Sequence, residues 1–416
     1  MNIIKRELIS LYLIQISNII FPIIIFAYMA NTLGVIGLGK LAFYQTISML
    51  VAFLVDFGFS LSAARILSIS VNNAIKVNEI YTNVQVSRYC LWIIVSIISF
   101  LATHFVNLSY EDLKIFYIAL ISGLASILTC SWVFQGLTKN STLAIITLIF
   151  KIISTIFILV FVKSYADLYQ AIYIQLIASF IVGVCASIYI KIKYKIILDI
   201  KLIKIGKMKN YFYESYHNFI ASFFTLGFTY LNPLFVKYFF GDGGLGLYST
   251  AEKVVSLLKQ AFIPVSQTFY AEMCRLSHDK KYKNIIQKNK KIFGFFSILC
   301  LISFVLNMLI GNSIYEFVFG ESFDIYEIVG LMIVVQWIVS IAIIIVNLMI
   351  IPLGESKILK KVYSIGLIFY ILIVYPFLKF FELKGLIISM IITETFITIV
   401  FFIFTYKFMK SKMIEH

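Results

Sequence analysis

Charged residues are scarce in this chain: Asp, Glu, Lys and Arg make up only 13% of its 416 residues. An ordinary soluble domain carries about twice that share. Acids are the scarcer sign, with 20 Asp and Glu against 35 Lys and Arg, while hydrophobic residues reach 61% and the mean hydropathy is +0.97. This composition excludes a water-soluble enzyme or binding domain and indicates an integral membrane protein.

Cysteine is also rare, and the five cysteines fall in or beside apolar segments without the spacing of a metal site or a disulfide framework. The chain has no G-x-x-x-x-G-K-[ST] phosphate loop, which argues against a primary pump. The first apolar run is too long for a typical signal peptide, so we interpret it as the first membrane span. We therefore predict no metal site and no cofactor.

Apolar runs of about 20 residues, the length needed to cross a bilayer, recur along the whole sequence. They predict an all-α membrane protein with about twelve spans. The predicted spans start near Leu8, Leu41, Tyr89, Lys114, Leu143, Leu168, Tyr211, Leu247, Ile292, Ile325, Val362 and Gly385.

Two copies of a G-x-x-G-L-G pattern indicate that the chain contains two related halves. The first is Gly34, Gly37 and Gly39, and the second, 207 residues later, is Gly241, Gly244 and Gly246. Six spans per half is an even number, so both halves enter the membrane in the same direction, as a parallel repeat. We predict an N-terminal lobe (1–190), a basic cytoplasmic linker (191–210) and a C-terminal lobe (211–416), with a central cavity between the lobes.

Basic residues are concentrated in alternate connections, which predicts that both termini are cytoplasmic. Two basic clusters, in 191–209 and 275–291, are interpreted chiefly as determinants of this topology, with anionic lipid head groups as an alternative role. The net charge of +15 does not imply a nucleic-acid partner, because these residues lie in short connections between spans. The opposite connections hold only Lys40, Lys114, Lys163, Lys237, Lys379 and Lys384.

Prolines and glycines interrupt several apolar runs. Pro22, Pro264 and Pro376 each remove a backbone hydrogen bond and favour a kink, whose role is gating or structure alone. The glycines of the two repeated patterns are predicted to allow tight turns at the outer membrane face.

Ionisable groups inside predicted spans are expensive, so each is a candidate for function. Lys151 lies in the fifth span and Lys259 near the middle of the eighth, while Lys253 is shallower. Cations that line a cavity favour an anionic cargo. The predicted cavity residues are Lys151, Lys253, Lys259, Glu252, Asn218 and Gln45, most of them on polar stripes of the second, seventh and eighth spans.

The acids of the predicted spans have two open interpretations. Asp56, Glu214 and Glu394 either neutralise the buried lysines or carry a coupling proton or sodium ion.

Several segments resemble a known family. The run from Tyr28 to Gly39, then Asp56-Phe57-Gly58 with Arg65, is similar to the start of bacterial O-antigen flippases of the polysaccharide transporter family, within the multidrug/oligosaccharidyl-lipid/polysaccharide exporter superfamily. Trp132 to Gly136, Gly246 to Lys253 and Pro352-Leu353-Gly354 resemble later landmarks of the same family. This chain has Asn31 where the family often has arginine, whereas Lys151 falls where the family commonly has a basic residue.

The resemblance implies a flippase in the bacterial cytoplasmic (inner) membrane, acting in O-antigen, capsule or lipopolysaccharide biosynthesis. Its implied substrate is an undecaprenyl-pyrophosphate-linked oligosaccharide, moved to the outer leaflet by alternating access. The expected partners are this substrate, membrane lipids, a coupling proton or sodium ion, and a polysaccharide polymerase with its chain-length protein.

Two alternatives remain open on the sequence. A multidrug or cation antiporter of the same superfamily would favour acids over lysines in its cavity. A polytopic polymerase or ligase would need a larger outer loop for its chemistry than the short connections provide. We therefore predict a transporter and not an enzyme.

Overall fold

The computed structural model describes residues 2–105, 108–355 and 357–414. Side chains are not described for 2–23, 261–268, 412–414 and single positions at 221, 225–226, 228–229 and 271. Pro22 and Pro264, the predicted kink residues, have side chains outside the described set, and their backbone is helical. Among the described residues all regular structure is helical, which confirms the predicted all-α class.

Within these described ranges, eleven α-helices follow one another with short connections. They are α1 (Asn2–Asp56), α2 (Phe59–Ser70), α3 (Ala74–Thr103), α4 (Tyr110–Thr129), α5 (Ser131–Gly136), α6 (Asn140–Phe161), α7 (Leu168–Tyr194), α8 (Ile205–His278), α9 (Tyr282–Phe319), α10 (Tyr326–Ile345) and α11 (Lys357–Ile414). Two 3-10 turns, Tyr165–Asp167 and Ile200–Leu202, and a π-helix, Val346–Ile350, complete the described structure.

Three of the long helices contain one non-helical residue each and are therefore pairs of helical arms. The break lies at Gly34 in α1, at Gly241 in α8 and at Glu382 in α11. Eight segments of the described chain are long and apolar enough to cross a membrane, and they lie in α1, α3, α4 with α5, α6, α7, α9, α10 and α11. Helix α8, which holds the seventh and eighth predicted spans, is not one of them, so the count of twelve stays a prediction.

The chain divides into two compact units, Met1–Phe223 and Phe224–His416, called unit 1 and unit 2 below. In unit 1, α4 packs against both α1 and α7, and α2 packs against α5. An apolar cluster in this unit is built around Phe59, Trp132 and Phe134, all fully buried. In unit 2, α10 packs between α9 and α11, with apolar clusters that include Phe296 and Phe401.

The division falls inside α8, beyond the predicted linker at 191–210. The start of α8, residues 205–223, belongs to unit 1, where it packs on the junction between α1 and α2. Phe57 and Phe219 stack with ring centroids 4.5 Å apart, and Ser62 hydrogen-bonds Ser215. The close approach depends on Gly58, since a Cβ there would lie 2.8 Å from the backbone nitrogen of Phe219. The lobe boundaries predicted from the sequence stay a prediction.

Candidate functional site

Gly34 and Gly241 adopt nearly the same unusual backbone conformation, with φ of 66° and 64° and ψ of −179° and −158°. This region is accessible to glycine and almost no other residue. A Cβ at either position would meet no atom within 4 Å, so the backbone conformation, and not lack of space, demands glycine. The repeated motif therefore encodes a break at its first glycine, while Gly37, Gly39, Gly244 and Gly246 lie in helical backbone.

Each unit has an ion pair at the start of one of its helices, α4 in unit 1 and α10 in unit 2. Glu111, the second residue of α4, pairs with Lys40 on the second arm of α1. Glu327, the second residue of α10, pairs with Lys384 on the second arm of α11. Acids in the first turn also suit the helix dipole. Sequence reasoning missed these acids as partners, although it placed both lysines on the same side of the membrane.

In unit 1, Gln45 lies on the second arm of α1 and faces α7. Its amide donates to Oε1 of Gln175 over 3.0 Å, and both side chains are at most partly exposed. Lys151 is half-buried on α6, where its main-chain carbonyl accepts from the hydroxyls of Ser154 and Thr155. At Gln45, the contact between the arm that follows Gly34 and helix α7 is therefore a neutral amide pair.

Three other predicted residues meet where α1, α2 and the first arm of α8 come together. The carboxylate of Asp56 accepts from the backbone nitrogen and the hydroxyl of Ser60, so it stabilises the start of α2. Glu214 pairs with Arg65 at 3.2 Å, and both side chains are exposed. Asn218 lies against the backbone of Gly58. The partner of Glu214 is an arginine, whereas the sequence analysis considered only lysines.

In unit 2, four of the predicted residues form a charged group. Glu252, Lys253 and Lys259 have exposed side chains on the second arm of α8, and Glu394 is half-buried on α11. The charge of Lys259 acts on both Glu252 and Glu394. This group, Glu252, Lys253, Lys259 and Glu394, is called the unit 2 charge group below. Exposed charges on predicted spans require water or a ligand, because hydrocarbon cannot solvate them.

Beside the charge group, Asn232 lies close to two buried tyrosines. Its Oδ1 accepts from the hydroxyl of Tyr370, its Nδ2 donates to Sδ of Met390 at 3.2 Å, and Tyr248 lies close to its side chain. Asn232, Tyr248 and Tyr370 are all almost fully buried. Asn232 belonged to the polar stripe of the seventh predicted span, but nothing in the sequence identified its partners Tyr370 and Met390, which come from the distant helix α11.

A buried arginine is the main polar feature that sequence reasoning missed in unit 1. The guanidinium of Arg88 donates to the main-chain carbonyls of Ser126 and Ile127 and to Oε1 of Gln85. These carbonyls lie in the last turn of α4, where a cation offsets the helix dipole. Arg88 therefore joins α3 to the end of α4.

Residues 4–270 match a protein family described as "Polysaccharide biosynthesis protein". The chain belongs to this family. Two relatives span nearly the whole chain. A protein of Shigella dysenteriae named "Putative O-antigen transporter" is 27% identical over 95% of this chain and 98% of its own length. A protein of the same name from Escherichia coli (strain K12) is 22% identical over 95% of this chain and 94% of its own.

Solved structures of similar fold are MATE transporters. An inward-facing multidrug MATE transporter of the MOP superfamily superposes with a TM-score of 0.76 at 11% identity, covering 94% of each chain. A Vibrio cholerae MATE transporter in its bent form superposes with a TM-score of 0.56 at 15% identity, covering 97% of this chain and 94% of the other. At such low identity these structures show the fold alone. They confirm, with the family match, the resemblance predicted from the sequence.

Within the described ranges, no group of three or more His, Cys, Asp or Glu side chains is arranged to hold a metal ion. The polar features of this polysaccharide biosynthesis protein are therefore of two kinds. Structural hydrogen bonds join the helices of each unit, around Arg88 and Asn232. The unit 2 charge group instead has three exposed side chains on α8 and one half-buried side chain on α11, and it is the strongest candidate for contact with a transported molecule.

Proposed function

We propose that this protein is a flippase that moves an undecaprenyl-pyrophosphate-linked oligosaccharide, an O-antigen or capsule repeat unit, from the cytoplasmic to the outer leaflet of the bacterial inner membrane. The observation that carries the proposal is the match to proteins named as O-antigen transporters along nearly the full length of the chain. The family match and the transporter fold support the same class of function.

The unit 2 charge group suits the chemistry of this substrate. A pyrophosphate-linked sugar cannot cross hydrocarbon unaided, because its polar and charged groups would lose their hydration. Exposed lysines at 253 and 259 offer positive charge to the pyrophosphate. The carboxylates of Glu252 and Glu394, on which Lys259 acts, are candidates to bind a proton or sodium ion that drives the transport cycle. Alternating access between two halves of the chain is the proposed mechanism.

The test is a bacterial strain in which this gene is deleted, with lipid-linked repeat units assayed on each leaflet of the inner membrane. We expect complete units to accumulate on the cytoplasmic leaflet and surface polysaccharide to disappear, with both restored by the wild-type chain. Units that reach the outer leaflet but remain unpolymerised would contradict the proposal in favour of an enzyme. Normal polysaccharide together with sensitivity to cationic drugs would contradict it in favour of an antiporter.

A further inference from the structure

The predicted linker between the halves has an ordered path along unit 1. After α7 ends at Tyr194, residues 195–205, called the strap below, run beside the first turns of α3. The backbone nitrogens of Ile197 and Asp199 donate to side-chain oxygens of Asn78 and Thr82, each at 3.0 Å. The side chain of Asn83 then binds both the carbonyl of Leu202 and the nitrogen of Lys204.

Backbone hydrogen bonds to α3 and one buried apolar side chain attach the strap to unit 1. Ile196 is buried within the apolar cluster of unit 1, and the buried side chains of Thr82 and Asn83 supply the hydrogen bonds from α3. Glu79 adds ion pairs to Lys204 and Lys207 at 3.9 and 3.5 Å. Because its backbone groups are bonded to α3, the strap holds its own side chains in fixed positions.

Apart from Ile196, several large apolar side chains of the strap are exposed. Ile200 is 76% exposed and Ile205 is 83% exposed, and the neighbouring Ile197 and Leu198 are also exposed. Ile69 and Ile75, on either side of the turn between α2 and α3, are exposed as well. Exposed apolar surface of this kind on an ordered segment marks a membrane or protein contact.

The charge around this apolar surface favours an anionic partner. Residues 191–210 contain seven lysines and one acid, Asp199, whose carboxylate accepts from the backbone nitrogen of Lys201. The segment follows α7, which is long and apolar enough to cross a membrane, so we place it where that helix leaves the membrane. Apolar side chains among lysines at this level bind the boundary between head groups and acyl chains of an anionic leaflet.

We propose that the strap is an interfacial binding site for anionic phospholipid, with Ile200 and Ile205 entering the head-group boundary and the lysines of 191–209 contacting the phosphates. The proposal does not depend on which molecule the protein transports. It assigns the linker a binding role beyond joining the two halves.

Unit 2 supplies a matched control within the same chain. Residues 275–291 also contain seven basic residues and one acid, Asp279. Their large apolar side chains are mostly covered, however, with Ile286 exposed at only 40%. A purely electrostatic attraction would treat the two segments alike, whereas the proposed site requires the apolar surface of the strap.

The experiment uses the full-length protein, purified in detergent, and counts retained phosphatidylglycerol and phosphatidylethanolamine by native mass spectrometry. We expect Ile200→Ser with Ile205→Ser, and separately Lys195→Gln with Lys201→Gln and Lys209→Gln, to weaken phosphatidylglycerol binding threefold or more. The matched variants, Ile286→Ser and the set Lys280→Gln, Lys283→Gln and Lys290→Gln, should change it less than twofold. Thermal unfolding of each variant checks that the fold is retained.

Three results would overturn the proposal. Equal losses in the strap variants and in the unit 2 variants would mean a general charge effect. Unchanged phosphatidylglycerol retention in both strap variants would mean that the exposed isoleucines serve another contact, such as a protein partner. Displacement of phosphatidylglycerol by millimolar inorganic pyrophosphate would instead identify the strap as a site for the transported head group.

Discussion

Gln45 of unit 1 and Glu252 of unit 2 are 207 residues apart and lie at the same place after the glycine that breaks each helix. The side chains at this position have different partners in the two units. Gln45 hydrogen-bonds a second neutral amide, Gln175, on α7. Glu252 instead lies near the charges of Lys253 and Lys259, and Lys259 also lies near Glu394 on α11. The repeat therefore has the same backbone geometry in both units, while at this position unit 1 has a neutral side chain and unit 2 a charged one.

Removal of the central cation of the unit 2 charge group should have the largest effect. We expect Lys259→Ala to reduce transport at least tenfold, because Glu252 and Glu394 lose the charge that acts on both and the cargo loses a cation. Lys259→Arg should retain part of the activity. Surface polysaccharide in a complemented deletion strain measures transport, and immunoblots of the membrane fraction measure protein level.

The matched change in unit 1 is Gln45→Ala, which removes a neutral hydrogen bond and no charge. We expect it to leave transport within about threefold of wild type. If Gln45→Ala and Lys259→Ala reduced transport to the same extent, the contrast between the units would be lost.

Of the two hydrogen-bond variants, Asn232→Ala should lower the free energy of unfolding more than Gln45→Ala. It removes the acceptor that the buried hydroxyl of Tyr370 uses, which costs about 1–3 kcal/mol. Gln45→Ala, at a partly exposed pair, should cost about 0.5–1.5 kcal/mol. Unfolding of the purified variants in detergent, followed by heat or denaturant, compares the two, and a larger loss for Gln45→Ala would contradict the assignment of Asn232 as a buried centre.

Alanine substitution at either glycine break should lower the free energy of unfolding by a similar amount. Gly34→Ala and Gly241→Ala each force a residue with a Cβ into a backbone region that glycine alone tolerates, at a cost of about 1–3 kcal/mol each. Gly294, a helical glycine of α9 with no atom within 4 Å of an added Cβ, is the matched control, and Gly294→Ala should be neutral or stabilising. Equal behaviour of all three variants would show that the breaks are not strained.

Loss of the exposed ion pair between Arg65 and Glu214 should have the smallest effect on the free energy of unfolding. Ion pairs in contact with solvent contribute about 0–1 kcal/mol, so Arg65→Gln should change the free energy of unfolding by less than about 1 kcal/mol. The same denaturation measurement decides this, and a loss comparable to that of Asn232→Ala would mean that the pair is shielded when the protein lies in its membrane.

Local patterns of the sequence were sufficient for the class of fold and for the repeat. Apolar runs gave the membrane helices, because the bilayer demands helices that satisfy their own backbone. The repeated glycines located the breaks at 34 and 241, because that backbone conformation excludes other residues. The landmarks quoted from Tyr28 onwards identified the family, and the polar stripes located Asn232, Glu252 and Lys259 on their helices.

Only the tertiary structure decided which of these side chains meet. Asn232 joins Tyr370 across 138 residues and Gln45 joins Gln175 across 130, and helix periodicity carries no information about such distant partners. Residues 205–223 of α8 pack within unit 1, where Gly58 leaves room for the backbone of Phe219, and this packing joins parts of the chain that are far apart in sequence. The sequence by itself determined which residues were costly to place in a membrane, since that cost depends on residue type. The structure determined which hydrogen bonds and ion pairs offset that free-energy cost, since these contacts depend on where helices pack.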